Sequence, residues 1–155
     1  MKRIYIFALF FTMAVISASA QITAVFDRYA DTKGVTSVYI SKAMFRMMGD
    51  LKTSGMDLNG LGDKLDAIRI LNTESPKLAE KISSEVSREV KKEGYEILMM
   101  ANDDGDRTTI YQRTDKAGVN HYLIVAQEPS ELSIISIEGS ITPADIKNMN
   151  DKRKK

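Results

Sequence analysis

The sequence predicts an α+β fold: a mostly antiparallel sheet with helices packed on it, built as a strand-helix-strand unit followed by a three-hairpin meander. Two observations between Leu65 and Ser140 carry this reading. A helix with both ends marked lies between two short apolar runs and supplies the long crossover that such a start needs. Beyond it, β-rich runs succeed one another with only turn clusters between them, and short turns between successive strands favour antiparallel pairing.

The chain opens with Lys2 and Arg3, an apolar run from Ile4 to Ile16 broken only by Thr12, and Ser17-Ala18-Ser19-Ala20 before Gln21. This is the three-part pattern of a secretory signal peptide, with small residues at the two positions the peptidase reads. Cleavage is expected between Ala20 and Gln21, and the product is expected in the periplasm or outside the cell. The apolar run is shorter than the roughly 20 residues of a membrane-spanning helix, which weighs against an uncleaved anchor. With no cysteine in the chain, Gln21 cannot carry the lipid of a bacterial lipoprotein, and thiol chemistry is excluded. No stable membrane anchor is therefore expected after cleavage.

Residues 21–151 are expected to form a single α+β domain, large enough to bury about two thirds of its surface without disulfides or metal. Residues 152–155, Lys-Arg-Lys-Lys, read as a basic disordered tail. The full chain carries 22 basic and 21 acidic side chains; without Lys2 and Arg3 the balance is 20 against 21, a net charge of −1. That is no basic field for nucleic acid.

Within the domain, Ile22, Val25, Phe26 and Tyr29 fall on one helical face, so the first element is a short amphipathic helix, ended by Asp31-Thr32-Lys33-Gly34. Val35 to Ser41 is β-branched and aromatic, a strand. Ser41 then caps a helix carrying Ala43, Met44, Met47, Met48 and Leu51. Their i, i+3, i+4 spacing favours a buried face over a plastic methionine surface for a partner. Asp50 to Lys64 has three glycines and little periodicity. It reads as a mobile connection near the upper limit of loop length, without a concentration of catalytic residue types.

Leu65 to Leu71 is a short apolar strand. Ser75 as N-cap, Pro76 in the first helical position and Gly94 at a left-handed C-terminal position bound the next helix, whose stripe of Leu78, Ile82, Val86 and Val90 faces a core. Lys91 and Lys92 suit the negative end of its dipole. Tyr95 to Ala101 is apolar on both alternating faces, which predicts a central strand covered on both sides. Asn102-Asp103-Asp104-Gly105-Asp106 turns it into Arg107 to Arg113, a hairpin. Thr114 to Gly118 turns the chain into Val119 to Gln127, where Val119, Leu123 and Val125 share a face with His121. After Glu128-Pro129-Ser130, Leu132, Ile134 and Ser136 alternate with Ser133, Ile135 and Ile137 in a last strand ending near Gly139. Thr142, Pro143 and Asp145 then form a capping box, with Ile141 and Ile146 as a hydrophobic staple and Met149 continuing the apolar side.

No chemical motif is complete. Gly55 and Gly60 have phosphate-loop spacing, but Leu61 stands where the lysine belongs. Gly60-Leu61-Gly62 begins a dinucleotide fingerprint whose third glycine is replaced by Leu65, with no strand before it. Asn102, Asp104 and Asp106 alternate like calcium ligands, yet Gly105 is displaced and Arg113 occupies the place of the bidentate glutamate, so a hairpin turn is favoured. His121 is the sole histidine; without a Gly-x-Ser-x-Gly elbow it reads as a partly exposed structural residue. The sequence accordingly assigns no catalytic, cofactor-binding or metal-ligating residue. Paired carboxylates for glycosidic cleavage stay open, because geometry rather than spacing defines them.

The Ala-x-Ala-Gln end of the leader, Gly94-Tyr95-Glu96-Ile97-Leu98-Met99, Glu131 to Gly139 and Ile141-Thr142-Pro143-Ala144-Asp145-Ile146 together resemble small exported proteins of Bacteroidetes-type bacteria, the domain-of-unknown-function family 4252. The resemblance covers nearly the whole mature chain and implies an envelope role, with no catalytic residues to transfer. Many members look like lipoproteins with a cysteine after the leader, from which Gln21 departs. The expected function is a non-catalytic binding or protein-interaction module of the cell envelope, with an envelope protein as partner and self-association left open. The alternative is a carboxylate-based periplasmic hydrolase.

Overall fold

A computed structural model of the chain describes residues 21–48 and 62–145. In order, the elements are α1 (Ile22–Tyr29), β1 (Val35–Ser41), α2 (Lys42–Met48), β2 (Leu65–Thr73), α3 (Pro76–Lys92), β3 (Glu96–Asp103), β4 (Asp106–Thr114), β5 (Asn120–Gln127) and β6 (Leu132–Gly139). The leader, most of the Gly-rich connection with its two incomplete glycine motifs, Ile146, Met149 and the basic tail lie outside the described residues.

The six strands form one sheet in the order β1-β2-β6-β5-β4-β3, every neighbouring pair antiparallel. The α+β class, the crossover helix and the meander follow the sequence expectation. The crossover spans more than adjacent strands: α3 carries the chain from β2 to the far edge, and the hairpins β3–β4–β5–β6 fill the gap from outside inwards. At 17 residues α3 is about 25 Å long, the length of the strands it returns along.

Ile82, Val86 and Val90 of its stripe are buried as the spacing predicts, with Leu78 half-buried and Ile82 inaccessible to solvent, and it meets α1 through Ile22, Val25, Phe26 and Tyr29. Both helices lie on the sheet face made by Leu71, Leu123, Leu132 and Ile134, forming the main core. The interface contains one buried carboxylate. Glu85 of α3 accepts the Tyr29 hydroxyl at 2.7 Å and pairs with Arg28. Burial first, and then the Glu85 hydrogen bond, push the Tyr29 pKa up to about 12. Glu93, just past α3, accepts the Ile22 N–H at the start of α1 and pairs with Arg113 at 3.1 Å, which ties helix ends to sheet.

The opposite face carries a second, smaller core at one corner: Phe45 of α2 with Leu65 and Ile141, backed by Ile40, Ile68 and Ile137. Gly139 lies where this corner closes. A Cβ there would be 2.0 Å from the Lys64 carbonyl oxygen, which accepts the Ser140 N–H at 2.8 Å. The capping box is present: Thr142 N–H donates to Asp145 Oδ2 at 2.8 Å, and Asp145 N–H to Thr142 Oγ1 at 3.3 Å. Lys64 first, then the Thr142 donors, hold the Asp145 carboxyl down to about 2.

Two expectations are corrected. The apolar strand beginning at Tyr95 is not central: β3 is an edge strand, and all eight of its residues are exposed. The described part of the methionine face of α2 is not buried either, while the Met48 side chain and Leu51 lie outside what the structure describes. Phe45 points into the core, while Met44 and Met47 face solvent, Met47 at 75 % exposure. Burial in α2 follows the one aromatic ring, because a helix of seven residues offers a single inward position above this corner.

Candidate interaction surface

The strand registers lay out the face opposite α1 and α3 row by row. One row runs Val38, Ile70, Ile135, Ile124, Ile110 and Met99, a single apolar residue from each strand, each opposite the next across the sheet. At about 4.8 Å per strand it is about 24 Å long. The row beside it on one flank holds Ile40, Ile68, Ile137 and Tyr122, which α2 and Ile141 cover; the Tyr122 hydroxyl donates to the Ile141 carbonyl at 3.0 Å. On the other flank stand the small side chains Thr36, Asn72, Ser133, Ala126, Thr108 and Ala101. Among the described residues no helix packs on the Ile row itself. Its inner members are half-buried by one another, and its ends, Val38 and Met99, are exposed at 40 % and 48 %.

This band meets an apolar edge. Ile97, Leu98, Met99 and Met100 of β3 are each between 47 % and 54 % exposed. A register shift between Ile97 and Met99 places Leu98 in a bulge, so the four project to both sides of the sheet. Exposed apolar side chains occur singly on most surfaces; here a consecutive run on an edge joins a band across the sheet in one contiguous exposed apolar patch.

The titratable groups are arranged differently. His121 Nε2 lies 3.0 Å from Asp115 Oδ2, and this contact with two backbone N–H donors holds the Asp115 carboxyl below the usual carboxylate range. Arg69 pairs with Glu138 at 2.6 Å and stacks on Tyr39, with its guanidinium 5.0 Å from the ring centre. Arg113 stacks similarly on Tyr95, whose pKa burial, and then Glu93, push up to about 12. These are opposite-charge pairs, which fix positions rather than leave a proton acceptor poised for chemistry. A cleft of about 290 Å³ between α1 and β1 is lined by Phe26, Asp27, Tyr39 and Arg69. A hollow of about 580 Å³ beside the α3 N-terminus brings Glu74 and Glu131 near Asn72, open to solvent. Among the described residues no three His, Asp or Glu side chains converge as metal ligands. The Asp103–Asp106 segment is a hairpin turn, with Asp104 and Gly105 both at positive φ, as its sequence favoured over a calcium loop.

The open band was not legible from any motif. Its signal is the apolar residue on the second face of every strand, visible at Ile68, Ile70, Ile135 and Ile137 but assignable to one face only with the register in hand. The model of a domain of unknown function, DUF4252, matches residues 29–149 of the chain. No curated protein and no solved structure matches it.

Proposed function

Given that this chain belongs to the DUF4252 family, whose description names no activity, we propose that it is a non-catalytic protein-interaction module that works through the uncovered face of its sheet. The observation that carries the reading is the apolar row crossing all six strands outside the helical layer. A sheet face that only needed water would alternate polar residues there. Partner burial of the row would return roughly 25 cal/mol for each Å² of apolar surface removed from water.

The place of action in this reading is the cell envelope. The basic, apolar and small-residue segments of Met1 to Ala20 support export, with a mature chain beginning at Gln21 and an envelope protein as partner.

The test is capture from envelope extract with the mature chain tagged at its C-terminus, compared with the same chain carrying Ile110→Lys and Ile124→Lys. Circular dichroism would show that the variant is folded. A saturable partner held by the wild type and lost by the variant is expected. If nothing is retained above an unrelated exported domain, or the variant retains the same protein, the reading is wrong.

A further inference from the structure

We infer that the outer edge of β3 takes up an extended segment of a different protein as an added strand, apolar at its centre and carrying Lys or Arg at both ends. This deepens the interaction-module reading and rests on it. Three features of this strand lead there. β3 pairs only with β4, so among the described residues its other edge presents free backbone donors and acceptors. It carries four consecutive large apolar side chains and neither proline nor lysine, the usual guards of an edge.

The other edge shows what guarding looks like. β1 reads Val-Thr-Ser-Val-Tyr-Ile-Ser, lies between α1 and α2, and has its one large exposed ring, Tyr39, held against Arg69. Among the described residues neither a helix nor a stacked ring covers β3, and its one guard is the bulge at Leu98.

The charges choose the occupant. Glu96 opens β3 and Asp103 closes it, with Asp104 in the adjoining turn and Asp106 opening β4. A second copy pairing antiparallel through β3 would bring these acidic ends to one another across the seam, which is unfavourable. An incoming strand with cationic ends meets a carboxylate at each end, while its alternating apolar side chains continue Met99 on the open face and Ile97 and Met100 on the other. Backbone hydrogen bonds supply affinity in such an addition, and the flanking side chains supply the choice of partner.

The test uses the mature chain and two synthetic ten-residue peptides with the same Val/Thr/Ile centre, one flanked by Lys-Lys at each end and one by Glu-Glu. Amide shifts of residues 96–103 and peptide anisotropy are followed together. The Lys-flanked peptide should bind with shifts confined to β3 and at least about tenfold more tightly than the Glu-flanked one. Leu98→Lys should abolish binding, and the Glu96→Lys/Asp103→Lys double variant should reverse the preference. No binding of the Lys-flanked peptide, or equal affinity for the two, overturns the inference. Binding that survives Leu98→Lys but is lost in the Ile110→Lys/Ile124→Lys chain overturns it while leaving the open-face reading intact. A concentration-dependent dimer in sedimentation that Leu98→Lys abolishes also overturns it, because the edge then belongs to a second copy.

Discussion

Leu123 and Ile124 are consecutive residues of one strand, and they show how differently the two faces of this sheet are built. Leu123 points under α3 and is 0 % exposed, in a core of mixed shapes drawn from α1, α3, β2 and β6. Ile124 points the other way, into a row whose neighbours are Ile135 and Ile110 and whose outer members are Ile70, Val38 and Met99. The covered face is held by interlocking dissimilar side chains, each with one place to be. The open face is a ladder of mostly β-branched side chains that support one another across strands, with no layer above them among the described residues. A sheet can thus keep an apolar face ordered and available.

The sharpest way to break this comparison is to truncate both neighbours. Leu123→Ala should cost about 2–5 kcal/mol, since it leaves a cavity under α3. Ile124→Ala should cost roughly 1 kcal/mol, the part of its side chain that its strand neighbours already shield. Denaturant unfolding of both variants decides it: equal losses would mean that Ile124 is as covered as Leu123. Gly139→Ala comes next, at about 1–3 kcal/mol, because the added Cβ would sit on the Lys64 carbonyl and must push β2 from β6 at the α2 corner. A thermal melt unchanged by this substitution would show that the corner yields freely.

Much of the covered side is legible in the sequence alone. Pro76 and Gly94 bracket α3, with Ser75 at the N-cap position although its hydroxyl makes no capping bond, and the stripe names Ile82, Val86 and Val90 as buried, with Leu78 half-buried, because local end signals and a 3.6-residue period report directly on one helix. The capping box at Thr142 and the turn at Asp104-Gly105 were legible for the same reason. The placement of β3 was not. Apolar residues on both faces of a strand look alike whether neighbours cover them or nothing does, and only the crossover by α3 to the far edge decides which. The α2 methionines misled in a parallel way. Their spacing marks a face, but Phe45 outside that pattern determines which side is turned inward. What sequence periodicity cannot report is long-range strand order, and the candidate surface consists of little else.

Between these faces in expected effect lies the polar joint of the helical layer. Tyr29 is buried against Glu85 with a folded pKa raised from 10.0 to about 12. A folded pKa above the unfolded one means that stability from this group is complete below pH 10 and declines as pH rises through the folded value, at up to about 1.4 kcal/mol per pH unit. Unfolding curves at increasing alkaline pH should show that slope. Phenolate absorbance should show late-titrating tyrosines, Tyr29, Tyr95 and Tyr122; a single class near the ordinary tyrosine value would refute all three. Glu85→Gln keeps an acceptor for the hydroxyl and loses the pairing with a half-exposed Arg28, so about 1 kcal/mol is expected at neutral pH.

The smallest effect is the most telling for the edge. Leu98→Lys places a charge in the middle of the apolar run of β3, at a bulge where the side chain is 52 % exposed. For a residue that the isolated fold does not use, the change in unfolding free energy should stay within about 0.5 kcal/mol. Sedimentation of concentrated wild type and variant should agree, because the acidic ends of β3 already keep two copies apart, while binding of the Lys-flanked peptide should be lost. The two readouts separate two origins of the apolar run. A loss of several kcal/mol would show that Leu98 is covered within the folded chain and that the run serves stability. Unchanged stability with lost peptide binding leaves the fold without a use for Ile97 to Met100, and the apolar edge then serves what pairs with it.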